Sequence, residues 1–217
     1  MPLLIDHDPA AHAVLLGVAV ATIGAEVGAT YLGQAREGRR DLWGSVTEGI
    51  LLLRRRDEAA SDDRWTKQVL IAGVIGGLLA AYLIAKDEPP LRAFANNWWT
   101  LAAGAVLALA GIALRAWAVW TLGRAFRREV AIQGNQPLVR RGPYRWLRHP
   151  AYAGNLLTFS GLGLGLGSWL SAAVLFALTF LAQIPRIRVE ERTLEQAFGD
   201  EYVAFERSTA RLIPGLW

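Results

Sequence analysis

The sequence predicts an all-α integral membrane protein: five transmembrane helices, the last two a tight helical hairpin, with the C-terminal region on the cytoplasmic side. Three observations carry this reading. Hydrophobic residues make up 53% of the 217 and charged residues 19%, against roughly 45–50% and about 25% in an ordinary soluble domain. The apolar residues are gathered into runs of bilayer length, roughly 20 residues each. Basic residues are concentrated in alternate connections between those runs, as the positive-inside rule requires. Disorder and a disulfide scaffold are excluded by the same composition, since the chain has no cysteine.

The first run, residues 11–32, is interrupted only by Glu26. The stretch before it lacks the basic start and small-residue cleavage pattern of a signal peptide, so the run is expected to remain as a permanent span. Residues 42–53 form an apolar stretch too short to cross. It lies between Arg39-Arg40 and Arg54-Arg55-Arg56 and is expected to be an interfacial helix. The second span is 69–85. The third is 98–122, with Arg115 inside it. Residues 152–184 carry no charge but are too long for one span, and a break at Gly165, Gly167 and Ser168 divides them into the hairpin.

The connections give an independent check. Residues 33–68 hold eight Lys or Arg, residues 121–149 hold seven and the segment after 184 holds five, whereas 86–97 holds only Lys86 and Arg92. Five spans reproduce this alternation, with the N-terminus outside and the C-terminus inside. Of the 23 basic residues, 21 are arginines, a skew read mainly as topology control. Glu26 and Arg115 fall at similar depths and are expected to pair or to face a common polar cavity, because an intramembrane charge is costly.

Several chemistries find no support. The three histidines are scattered, so no metal is expected. There is no phosphate-binding loop or nucleophile elbow. Gly161-Leu-Gly-Leu-Gly-Leu-Gly167 lies inside an apolar run rather than between a strand and a helix, so it reads as close helix packing and a turn. The arginines flank spans rather than one aromatic face, which argues against nucleic acid.

Distinctive residues crowd the cytoplasmic C-terminal half. Arg140-Arg141-Gly142-Pro143-Tyr144 contains a turn signal, and in Arg148-His149-Pro150-Ala151-Tyr152 the proline suits the first turn of the fourth span. Tyr144, His149 and Tyr152 would gather at the membrane surface. After the last span, Arg186 and Glu190 stand at i, i+4 on one helical face at the membrane boundary. Residues 209–217 read as a returning C-terminal strap.

These blocks, in order and spacing, resemble the isoprenylcysteine carboxyl methyltransferase family: Leu138-Val139, Gly142-Pro143-Tyr144, Arg148-His149-Pro150, Tyr152, Gly154, Glu190-Glu191, Phe198-Gly199, Tyr202 and Arg211 through Pro214. Phospholipid N-methyltransferases share parts of the pattern. The resemblance covers residues 95–217, which it makes a methyltransferase core behind an N-terminal unit, 1–94, of two spans and a basic loop. It implies S-adenosyl-L-methionine as cofactor, held by Gln133, Gln136, Pro137, Leu138, Val139, Tyr144, His149, Pro150, Ala151, Tyr152 and Glu190 in the cytoplasmic C-terminal region. It assigns Arg186 to the substrate and, with Glu190, to catalysis. The implied acceptor is lipophilic, foremost the carboxylate of an isoprenylated cysteine, with a phospholipid amine or another hydrophobic small molecule as the alternative. Membrane sterol-type reductases carry a similar Arg-His-Pro-x-Tyr segment and form a more distant alternative. The expected setting is a prokaryotic inner membrane.

Overall fold

A computed structural model describes residues 8–36, 61–87, 97–123 and 138–215. Five long helices carry these segments: α1 (Pro9–Arg36), α2 (Ser61–Asp87), α3 (Trp98–Leu122), α4 (Pro150–Gly165) and α5 (Trp169–Phe198). A short α6 (Asp200–Ser208) follows, and a single 3-10 turn, Gly142–Arg145, precedes α4. By length and composition α2, α3 and α5 can each cross a bilayer. The interfacial segment 42–53 lies outside the described residues.

Helix ends are set by local chemistry. Asn97 caps α3, its Oδ1 accepting from the Thr100 amide at 3.0 Å. Ser168 caps α5 by accepting from the Ser171 amide at 3.2 Å, which places the break between α4 and α5 at the expected glycine-rich point. Pro150 occupies the first turn of α4, where no intrahelical amide donor is needed. Gly142 has φ +58°, and a Cβ there would lie 2.6 Å from Oγ1 of Thr121, so both conformation and space demand glycine.

Small residues set the packing. A Cβ on Gly111 would come within 2.5 Å of the Gly154 carbonyl oxygen, and one on Gly161 within 2.5 Å of the Ala108 amide nitrogen, so α3 and α4 meet backbone to backbone. Gly163 faces the other way, onto Ala172 of α5. The alternating glycines thereby let α4 lie tightly between two neighbours. Helix α2 packs on α5, where Gly73 abuts Ala182 and Gly77 abuts Leu175, and Ser171 Oγ donates to the Ala81 carbonyl at 2.7 Å.

The outward faces are apolar. Val69, Ile71, Ile75, Leu79 and Leu83 of α2 are exposed, as are Val106 and Leu109 of α3. Such a continuous apolar surface matches hydrocarbon rather than water. Trp99 and Trp120, 86% and 73% exposed, stand near the two ends of α3. Their 21-residue separation spans about 30 Å of helix, the thickness of a bilayer core, with tryptophans at both interfaces. The chain is a helical membrane protein.

Candidate active site

The site lies where the start of α4 meets the polar extension of α5, beyond the apolar stretch that closes at Ile184. Pro185 stands inside α5, and the helix runs on through Arg186, Glu190 and Glu191. The strap returns against the segment before α4: the Arg148 amide donates to the Ala210 carbonyl at 2.8 Å, the His149 amide to Arg211 at 3.1 Å, and the Ala210 amide to Trp146 at 3.0 Å. These bonds make a short parallel bridge between Leu147 and Ala210. An apolar base of Leu147, Ala153, Leu156, Ile187 and Leu212 supports it.

Two carboxylates on successive residues do different work, because one residue turns a helix by about 100°. Glu191 points inward. Its Oε1 accepts from Arg211 Nε at 2.8 Å, His149 Nε2 at 3.1 Å and Arg148 Nε at 3.3 Å, while Oε2 lies 2.8 Å from Arg211 Nη2. Burial pushes its carboxyl up, but the hydrogen bonds from His149 and Arg211 outweigh this and hold it at about 2. An ionised Glu191 accepts only, so His149 Nε2 carries the proton and donates. Arg148 also donates through Nη1 to the carbonyls of Glu206 and Thr209, at 2.7 and 2.6 Å.

Glu190 faces the α4 side. Its Oε2 accepts from the Tyr152 hydroxyl at 3.1 Å, and that hydroxyl accepts from Arg186 Nε at 2.8 Å. His149 Nδ1 lies 3.9 Å from the same Glu190 oxygen. Arg186 and His149 are buried, whereas the Glu190 side chain keeps 35% of its surface. Tyr144 is buried, and burial, with Glu190's charge adding to it, holds its phenol well above the usual value. Arg115 reaches the same region, its Nη1 donating to the Ala151 carbonyl at 3.4 Å.

The structure therefore brings together His149, Pro150, Ala151, Tyr152, Arg186 and Glu190, with Tyr144 within the field of Glu190. Leu138 and Val139 are half-buried in the segment that leads into the 3-10 turn. Gln133, Gln136 and Pro137 lie outside the described residues, as does the side chain of Glu26, so its pairing with Arg115 is not described. His149 caps α4 through its backbone carbonyl, which accepts from Tyr152 and Ala153 at 3.1 and 3.0 Å, and this releases its ring for Glu191. Sequence reasoning passed over Glu191 as the hub of this network. The available signal was Arg148 and Arg211, two arginines inside the recognised blocks with no assigned partner.

Residues 104–196 match the isoprenylcysteine carboxyl methyltransferase family. Protein-S-isoprenylcysteine O-methyltransferase A of Arabidopsis thaliana is 32% identical over 121 residues, which cover 55% of this chain and 61% of that protein. The Cupriavidus metallidurans cobalt-zinc-cadmium resistance protein CzcN is 43% identical over 83 residues, 38% of each chain. The solved structure of a eukaryotic intramembrane Ras methyltransferase superposes with a TM-score of 0.56 at 24% identity, covering 67% of this chain and 52% of that one, a likeness of fold. The chain spans about three fifths of the length of the first curated relatives it matches. Over residues 104–196, which hold most of this site, the chain is similar to the isoprenylcysteine carboxyl methyltransferase family.

Proposed function

We propose that the protein is an S-adenosyl-L-methionine-dependent membrane methyltransferase that esterifies the carboxylate of a lipophilic acceptor, foremost an S-isoprenylated cysteine. The observation that carries this is the Tyr152 hydroxyl bridging Arg186 and Glu190. One phenol thus holds a cation and an anion side by side at the edge of the apolar helices, where a carboxylate on a greasy tail and a cationic methyl donor would have to meet.

The residues present fit that donor, whose polar groups are a sulfonium, an ammonium, a carboxylate and a ribose. Glu190, partly exposed, offers the negative charge; His149 Nδ1 and Tyr144 line the same space; Leu138, Val139, Pro150 and Ala151 supply apolar and backbone contacts, and we assign Gln133, Gln136 and Pro137 to the same role. When bound, the cofactor supplies an electrophilic methyl group. The chain's own task is orientation and exclusion of water, which can account for much of the rate of an in-line displacement. Arg186, fixed at Nε by Tyr152, would grip the acceptor carboxylate. Such a carboxylate, with an ordinary pKa of about 3.3–3.7, is ionised at neutral pH, so no side chain must remove a proton.

The five-span topology, with the N-terminus outside, the site cytoplasmic and residues 95–217 as the methyltransferase core, is part of the same proposal. It is supported by the basic connections and by the lipid-facing surface of α2 and α3. A prokaryotic inner membrane is the setting proposed. The test is incubation of the purified protein with methyl-labelled cofactor and either prenylcysteine analogues or lipid extract. Base-labile label on the prenylcysteine is the expected result. Base-stable label on a lipid amine would refute the ester, and binding of a nicotinamide dinucleotide in place of S-adenosylhomocysteine would refute methyl transfer altogether.

A further inference from the structure

Residues 140–148 hold four arginines around the 3-10 turn, and these divide into two kinds. Arg140 is engaged with α6, its Nη2 3.3 Å from Glu201 Oε1 and its guanidinium over the Phe205 ring. Arg148 is engaged with Glu191 and with the carbonyls of Glu206 and Thr209. Arg141 and Arg145 are exposed, and neither has an ion-pair partner among the described residues. The carboxylates of α5 and α6 thus compensate two of the four and leave the turn with two open positive charges.

Tryptophans stand beside those charges. The Arg145 guanidinium lies 4.9 Å over the Trp146 ring, and Trp146 meets Trp117 of α3 edge to face, with centroids 6.2 Å apart. Trp120 follows Trp117 at i+3, about 60° away around the helix, so the two share a face of α3. All three indoles are exposed. Such a cluster suits the level of lipid headgroups, where the ring meets acyl chains and the N–H stays hydrated. Arg145 is held at that level by its stacking. Stacking occupies the face of a guanidinium but not its edge, so the in-plane N–H donors of Arg145 stay available for an oxyanion. The turn itself is firmly seated on α3, since a Cβ on Gly142 would lie 2.6 Å from Oγ1 of Thr121.

We propose that Arg145, Trp146, Trp117 and Trp120 form a binding site for the headgroup of an anionic phospholipid. The edge of the Arg145 guanidinium takes the phosphate, and Arg141 adds a second positive charge at the same turn. The indoles pack on the glycerol and the upper acyl chains. A zwitterionic lipid offers the same phosphate but carries an ammonium beside it, which the two arginines repel, so the site selects a net negative headgroup. It adjoins the site described above, because Tyr144, one residue before Arg145, is buried on the inner side of the same turn.

The test compares binding of dioleoylphosphatidylglycerol and dioleoylphosphatidylcholine to the full-length protein in detergent, measured by native mass spectrometry. Wild type should prefer the anionic lipid about tenfold and R145Q only about twofold, since one arginine at an anionic surface is equivalent to roughly fivefold. W146L, which removes the ring beneath the guanidinium, should cut the preference about two- to fivefold. R207Q removes an exposed arginine of α6 and should keep the wild-type preference. In lipid-free detergent R145Q should melt as wild type does. A wild type without preference, an R145Q or W146L protein that retains it, or a marked loss of R145Q stability without lipid would overturn the site. An equal loss in R207Q would overturn it too, by showing a diffuse attraction of the whole surface. Glycerol phosphate carries the anion without the chains and should not displace the lipid at equal concentration; displacement would mean a site for free phosphate instead. None of these outcomes depends on methyl transfer.

Discussion

Arg211 grips Glu191 with two nitrogens, Nε 2.8 Å from Oε1 and Nη2 2.8 Å from Oε2. The pair joins the strap to the last turns of α5, and the same carboxylate orients His149. Arg211 is 28% exposed and Glu191 keeps His149 and Arg148 as partners, so removing one member of the pair costs about 1.5–3 kcal/mol, the range for hydrogen bonds to charged groups. Arg211→Ala should therefore lower thermal stability in detergent by about that amount, and Glu191→Gln should do so while also abolishing the fixed His149 tautomer. Unchanged melting of both variants would show that the strap is held by other contacts.

The same carboxylate predicts an acid limit. Glu191 is held at about 2 against an ordinary 4.5, chiefly by His149 and Arg211 acting against burial. A depressed folded-state pKa means that the stability is fully present above about 4.5 and is lost as pH falls from there through about 2. The contribution is on the order of 3 kcal/mol. Unfolding followed from pH 6 to 2 should show wild type losing more stability than Glu191→Gln over that window; parallel curves would remove Glu191 as the cause.

Tyr152→Phe takes away only the hydroxyl that bridges Arg186 and Glu190. Hydrogen bonds to charged groups contribute about 1.5–3 kcal/mol, so methyl transfer should drop roughly 10- to 100-fold. Stability should fall by only about 1–3 kcal/mol, because the ring and its packing remain and only the buried Arg186 donor loses its acceptor. An activity within twofold of wild type would mean that Arg186 and Glu190 are positioned without the phenol.

Packing at the α3–α4 contact is equally open to test. Gly111→Leu places a side chain where even a Cβ would lie 2.5 Å from the Gly154 oxygen, and should cost about 1–3 kcal/mol or prevent assembly. Gly17→Leu on α1 is the control, since nothing lies within 4 Å of the Gly17 Cβ position; it should stay within about 0.5 kcal/mol. Protease resistance in detergent distinguishes the two, and equal resistance would contradict the close approach.

The helices were legible where lipid imposes a simple rule. Residues 98–122 are both the predicted span and α3, because Asn97 and Gly123 bracket an unbroken apolar run. Helix α5 extends well past its predicted end at 184, since hydropathy registers the bilayer edge and is blind to a helix that continues into polar surroundings. Likewise α2 begins at Ser61 in polar sequence rather than at 69. The gathering of His149 and Tyr152 at one end of α4, and of Arg186 and Glu190 on one face of α5, was legible from position and spacing, whereas their roles rest on the resemblance. The division of labour between Glu190 and Glu191 was not, because it depends on which face of α5 meets the strap.

The bridge between Leu147 and Ala210 joins residues 63 positions apart. A ribosome adding about 5–20 residues per second needs roughly 3–13 s to cover that distance. During that interval His149 and Arg148 have been made but Arg211 has not, so the charges at the start of α4 await their partner on the strap. Completion of the Glu191 cluster therefore waits for the strap, and a chain stalled before residue 211 would carry Arg148, His149 and Glu191 without Arg211.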